Sequence, residues 1–223
     1  MNKTLLKLFI ITQLLFVNGC LNFNQEVSLN PDGSGTMKIQ YWLQVSDPVK
    51  MLTLDQIGLF NADSIRNQFL SDYTTINNIE VYSDTTDTTS HAVVELTFSN
   101  IVDLNKTKPF SESQFSLKDG AAGQKIFSQF ISPIATGFGF DGSSFKVEYK
   151  YSFPGEIITH NATKVEKENY VWEYQLSEIG KGKTISVTYR PFKLKETPYW
   201  IYALSGFVLL IVLIFLFRKK RDF

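Results

Sequence analysis

The sequence predicts an α+β fold: a largely antiparallel β-sheet with one or two short helices packed on one face, plus a C-terminal transmembrane helix. Three observations predict it. Long stretches alternate apolar and polar residues with a period of two, the pattern of half-buried strands. Turn sequences rich in Pro, Asp and Gly separate them. Finally, the eighteen residues from Trp200 to Phe217 carry no charge.

The chain opens with "MNKTLLKLFIITQLLFVNG". Two lysines precede an apolar run that Thr12 and Gln13 interrupt, too short for a comfortable span. Residues 1–19 therefore read as a secretory signal. Val17-Asn18-Gly19-Cys20 resembles a bacterial lipobox, so Cys20, the chain's single cysteine, is the expected lipid attachment point. No intramolecular disulfide can form. The other readings of Cys20 are a buried thiol and an unpaired cysteine behind a plain signal peptide.

The extracytoplasmic domain is expected over 20–190. Leu21, Phe23, Val27 and Leu29 alternate with Asn22, Asn24, Glu26 and Ser28, and Met37, Ile39, Tyr41, Leu43 and Val45 continue the pattern beyond "NPDGSG". Pro and two glycines in that connection supply the turn dihedrals of a hairpin. Asp47-Pro48 is placed to open one helix and Asn61 to cap a second, with Ile65 and Phe69 four apart on one face. Strands follow near 76–83, 90–98, 112–118 and 124–131. "SPIATGFGFDG" (132–142) is a candidate linker, and "SSFKVEYKYSF" behind it has the clearest alternation in the chain. Strands near 169–176 and 183–190 complete the domain. A separate β subdomain over 143–190 would have a thin core, so one continuous domain is favoured.

Residues 191–199 form a juxtamembrane spacer, 200–217 the membrane helix and 218–223 a basic tail. At 1.5 Å per residue the helix covers about 27 Å, close to the hydrocarbon thickness. Tyr199, Trp200 and Tyr202 suit the interface, and "RKKR" places the tail in the cytoplasm. The bulk of the chain is then expected outside the cytoplasmic (inner) membrane, held at both ends. A spacer of at most about 30 Å predicts that the first and last strands start or finish on the same membrane side, with the "PDGSG" turn pointing away.

Composition excludes some functions. The chain has 22 basic and 22 acidic residues. Six of the former but one of the latter lie in the terminal segments, so the domain is negative by about five charges. That disfavours nucleic acid as a partner. There are two histidines: His91, on a strand with Glu95 on the same face, and His160, in a turn-like "THNAT". No Cys/His/Asp spacing suits a metal, no GxSxG elbow is present, and "GFGFDG" lacks the lysine and strand–loop–helix setting of a phosphate loop. Neither a catalytic residue nor a cofactor is expected. Asp32 and Asp119 beside glycines could serve calcium but suit turns better. "NKT" (105–107) and "NAT" (161–163) match glycosylation sequons. Ile134, Phe138 and Phe140 in the glycine-rich linker are candidate membrane or partner contacts, or a flap folded back over the core.

"CLNFNQEVSLNPDGSGTMKI", "FPGEIITHN" (153–161) and "YVWEYQL" (170–176) together resemble the LppM-like envelope lipoproteins, in which a strand follows the lipidated cysteine into a "PDGSG"-type turn. The resemblance implies an anchored α+β envelope domain and no established reaction. The expected function is non-catalytic: a membrane-anchored lipoprotein module that binds or assembles envelope lipid or a membrane-protein partner. The alternatives are an envelope hydrolase using acidic residues and a sensor acting through a membrane partner.

Overall fold

A computed structural model describes residues 21–44, 54, 56–84, 86, 88–121, 123–133, 145–192 and 199–218. Asp47-Pro48 lies outside them. The chain divides into two units, Met1–Phe192 and Lys193–Phe223.

The first unit runs β1 (Leu21–Leu29), β2 (Gly35–Gln44), α1 (Ala62–Phe69), β3 (Thr74–Asp84), β4 (Thr89–Phe98), two 3-10 turns (Ile101–Lys106 and Lys108–Phe110), β5 (Ser116–Asp119), β6 (Lys125–Ile131), β7 (Lys146–Ser152), β8 (Glu156–His160), β9 (Lys164–Glu166), β10 (Asn169–Gln175), α2 (Leu176–Ile179) and β11 (Lys183–Arg190). The α+β class with largely antiparallel pairing holds, but the strands divide between two sheets. One has seven strands in the order β3-β4-β2-β1-β7-β10-β9; the other has four, β5-β6-β11-β8.

The hairpin closes as the turn chemistry requires. Gly33 has φ +90°, and Asp32 Oδ1 accepts from the Ser34 N–H at 3.0 Å and its hydroxyl at 2.7 Å. Asp32 therefore serves the turn. Asn61 caps α1 by accepting from Ser64 N at 2.9 Å, and Ile65 and Phe69 are buried. The predicted strand near 112–118 shortens to β5, because Phe110 turns inward from a 3-10 segment before it.

The inward faces of the two sheets share one core. Phe127 of β6 lies 5.0 Å from the Tyr151 ring, and Phe153 lies 5.2 Å from Tyr189 of β11. Trp172, fully buried, donates its indole N–H to Asn161 Oδ1 at 2.8 Å. Asn161 also accepts from Ser186 N and donates to Thr184 O. The asparagine of "NAT" is thus a clasp between β10 and β11.

β7 pairs with β1 in parallel, Asn22 opposite Lys146 and Ser28 opposite Ser152. Two ends of the domain follow. At the leading end lie the starts of β1 and β7 and the ends of β2 and β10. At the turn end lie "PDGSG" and Pro154-Gly155, which carries the chain from β7 into β8. Arg190, opposite Glu156, is also at the turn end. β11 therefore finishes opposite the point where β1 starts. The spacer's length predicts the reverse. The correction comes from strand direction: β1, β7 and β11 all run from leading end to turn end.

The second unit contains α2's successor, α3 (Tyr199–Arg218). Its Tyr199–Phe217 stretch is long and apolar enough to cross a membrane, and side chains from Tyr202 to Phe217 are all exposed.

Candidate functional site: a pocket between the sheets

Cys20, Ile134, Phe138 and Phe140, the residues singled out from sequence, lie outside the described residues. The described residues that flank them are informative. Leu21 starts β1 directly after Cys20. Residues 131–133 precede the glycine-rich segment, and Phe145 follows it beside the start of β7.

Between the sheets at the leading end is a pocket of about 320 Å³. Phe23 and Ile39 wall it on the seven-stranded sheet, with Tyr41 and Tyr149 beside them. Phe69 of α1 and Phe110 close the opposite side, and Ile131 and Ser132 lie at its rim. These side chains meet here because β1 and β2 direct their odd-numbered residues inward, as β7 does.

Three glutamines line the pocket; Gln68 of α1 is exposed and the other two are buried. Gln25 and Gln129 are each 2% exposed. They are joined through Tyr151, whose hydroxyl accepts from Gln25 Nε2 at 2.9 Å and donates to Gln129 Oε1. Buried polar groups need such partners, since an unmade bond there costs about 1–3 kcal/mol. Their sequence signal was parity. Gln25 stands between Phe23 and Val27, and Gln129 between Phe127 and Ile131, each a polar residue in an apolar register.

The lining residues include no carboxylate, imidazole, ammonium or thiol. The two phenols on the wall stay neutral. Burial pushes Tyr41 up to about 12 and Tyr149 higher still. Tyr41 donates to Leu59 O at 2.7 Å. The walls therefore offer aromatic surface, three amides and uncharged hydroxyls, a set suited to holding an apolar ligand by shape.

A second concavity, about 440 Å³, lies on the outer face of the seven-stranded sheet. Glu95–Lys38 (3.1 Å) and Glu26–Lys150 (3.2 Å) form a ladder across it. Beside it Glu173 pairs with Lys146 and Lys164, which hold its carboxyl below the usual range. His91 and Glu95 do share a face of β4, but His91 stacks between rings and meets Thr89, while Glu95 takes Lys38. His160 closes β8 rather than sitting in a turn, and packs edge-on against Tyr170. Among the described residues no three His, Cys, Asp or Glu side chains converge as metal ligands.

No protein-family model matches the chain, and no curated protein matches it. Among solved structures, the chain is similar to the folded domain of LppM from Mycobacterium tuberculosis, determined by NMR. The TM-score is 0.48 and the identity 13%, over 80% of this chain and 94% of that one.

Proposed function

We propose that the chain is a membrane-anchored extracytoplasmic module whose inter-sheet pocket binds the apolar part of an envelope lipid. The observation that carries this reading is the pocket itself: aromatic walls, two buried amides and no ionised group, beside the start of the strand that follows Cys20. Each methylene buried there would contribute about 0.8 kcal/mol. The volume is at the lower end for small-molecule pockets, about 300–1,000 Å³, enough for one chain segment.

The reading is non-catalytic and needs no cofactor. The alternative, an envelope hydrolase using acidic residues, finds Glu26, Glu95 and Glu173 of the outer face already paired with lysines.

The test is lipid retention. The full chain, purified in mild detergent from native membranes, is washed and its bound lipid identified by mass spectrometry. Ser113 lines the pocket, so Ser113→Phe fills it while both glutamines and Tyr151 keep their own side chains. Retention of one lipid class by the parent, lost at least fivefold in Ser113→Phe at an unchanged unfolding midpoint, is the expected result. Equal retention in both removes the pocket from the account.

A further inference from the structure

On the outer face of the seven-stranded sheet, side chains sort by type along the strand direction. The row at the turn end contains Thr97, Thr36, Ser28 and Ser152. The next holds Glu95, Lys38, Glu26 and Lys150, ion-paired in two couples. The row toward the leading end differs: Tyr82 faces His91, His91 faces Trp42, and Trp42 faces Asn22. Its rings stack, Tyr82 on His91 at 4.7 Å and 4°, His91 on Trp42 at 6.1 Å and 16°. Tyr82 is 49% exposed.

Cross-strand ring pairs stabilise any sheet. That accounts for the stacking but not for the position. The three rings share one row of an outer face whose other apolar side chains, Val93 and Val171, are buried, and that row is level with Asn22, two residues beyond Cys20. Two residues of strand cover about 6.6 Å, comparable with the headgroup layer on one side of a bilayer, about 5–7 Å. Amphipathic rings such as Trp and Tyr favour that layer.

We infer that Trp42, His91 and Tyr82 form a docking surface for the phospholipid headgroup layer, holding the leading end of the domain against the bilayer. The inference rests on the anchoring reading at Cys20 and not on what the pocket binds. Charge chooses the lipid. Lys146, in the same row, is already ion-paired with Glu173, and Asp84 lies just beyond Tyr82, so the row presents no net positive charge that would favour an anionic headgroup over a zwitterionic one.

The experiment uses the full chain in phosphatidylcholine vesicles with bromines near the top of the acyl chains. Trp200→Phe removes the tryptophan of α3, and Trp172, fully buried, is subtracted with a Trp42→Phe partner. At least twofold quenching of Trp42 by the brominated lipid, with little quenching by aqueous iodide, is the expected result. Quenching by iodide and not by bromine overturns the inference. Adding Ser113→Phe separates the two proposals: it is expected to leave Trp42 quenching unchanged whether or not the pocket retains lipid. A parallel loss of quenching would show that pocket occupancy, and not the ring row, holds the domain down, and would also overturn the inference.

Discussion

At the scale of residues, two buried tyrosines separate paired from unpaired polarity. Tyr151 bridges Gln25 and Gln129, whereas the Tyr189 hydroxyl is buried with no protein partner. Tyr151→Phe strands two amide groups and is expected to cost about 2–3 kcal/mol. Tyr189→Phe removes a hydroxyl that was not satisfied, so it is expected to be neutral or to stabilise by up to about 1 kcal/mol. Denaturant midpoints of the two variants decide this, and equal losses would refute it. The same phenols set the alkaline limit of stability. Burial raises Tyr41 and Tyr189 to about 12 and pushes Tyr149 and Tyr151 well above the ordinary 10. Above pH 10 the unfolded chain loses these protons first, so the folded state binds more protons and stability must fall as pH rises. The midpoint is expected to be insensitive to these groups below about pH 9 and to drop between about 10 and 12. Phenolate absorbance should appear together with unfolding, not before it.

Among the elements, the turn at Pro154-Gly155 is one of five connections that carry the chain between the two sheets, and a glycine there is hard to replace. Gly155 has φ +85°, and a Cβ there would lie 2.1 Å from Arg190 O. Gly155→Ala combines left-handed strain with a clash on fixed backbone and is expected to cost about 2–4 kcal/mol, read as a lower thermal midpoint. A loss below 1 kcal/mol would mean the turn yields. The "FPGEI" stretch was conspicuous in the sequence, but its function was not. That difference runs through the fold. β2, β7 and β11 were legible because each has one buried face, so burial alternates along them. β8 and β9 are short edge strands, mostly exposed, and local pattern could not reveal them. The parallel β1–β7 pairing joins residues more than a hundred positions apart, and it decides both the division into two sheets and the direction of β11. The pocket was half legible. Gln25 and Gln129 broke an apolar register, but only the pairing of Tyr151 with both explains why a core would keep them.

At the scale of the whole molecule, the leading end gathers what the sequence left scattered: the residue after Cys20, both flanks of the glycine-rich segment, the pocket and the ring row. The C-terminal exit at Phe192 is at the other end. Anchoring can therefore be tested one attachment at a time. Two acyl chains give stable membrane binding, and a spanning helix is effectively irreversible. α3 supplies a 19-residue uncharged span, Tyr199–Phe217, about 28 Å at helical rise. Cys20→Ser is expected to remove the lipid mass and leave the chain resistant to alkaline carbonate, because α3 still holds it. If Cys20 is lipidated as proposed, truncation after Phe192 is expected to leave a chain that pellets with membranes and releases into mild detergent. Only the two changes together, with residues 1–19 replaced by a signal that is cleaved without a lipidated cysteine, should free the domain into the soluble fraction. If the truncated chain is soluble while Cys20 is intact, the cysteine carries no lipid. If the double variant still pellets, the bilayer is held by the domain's own surface, and Trp42 and Tyr82 become the next residues to change.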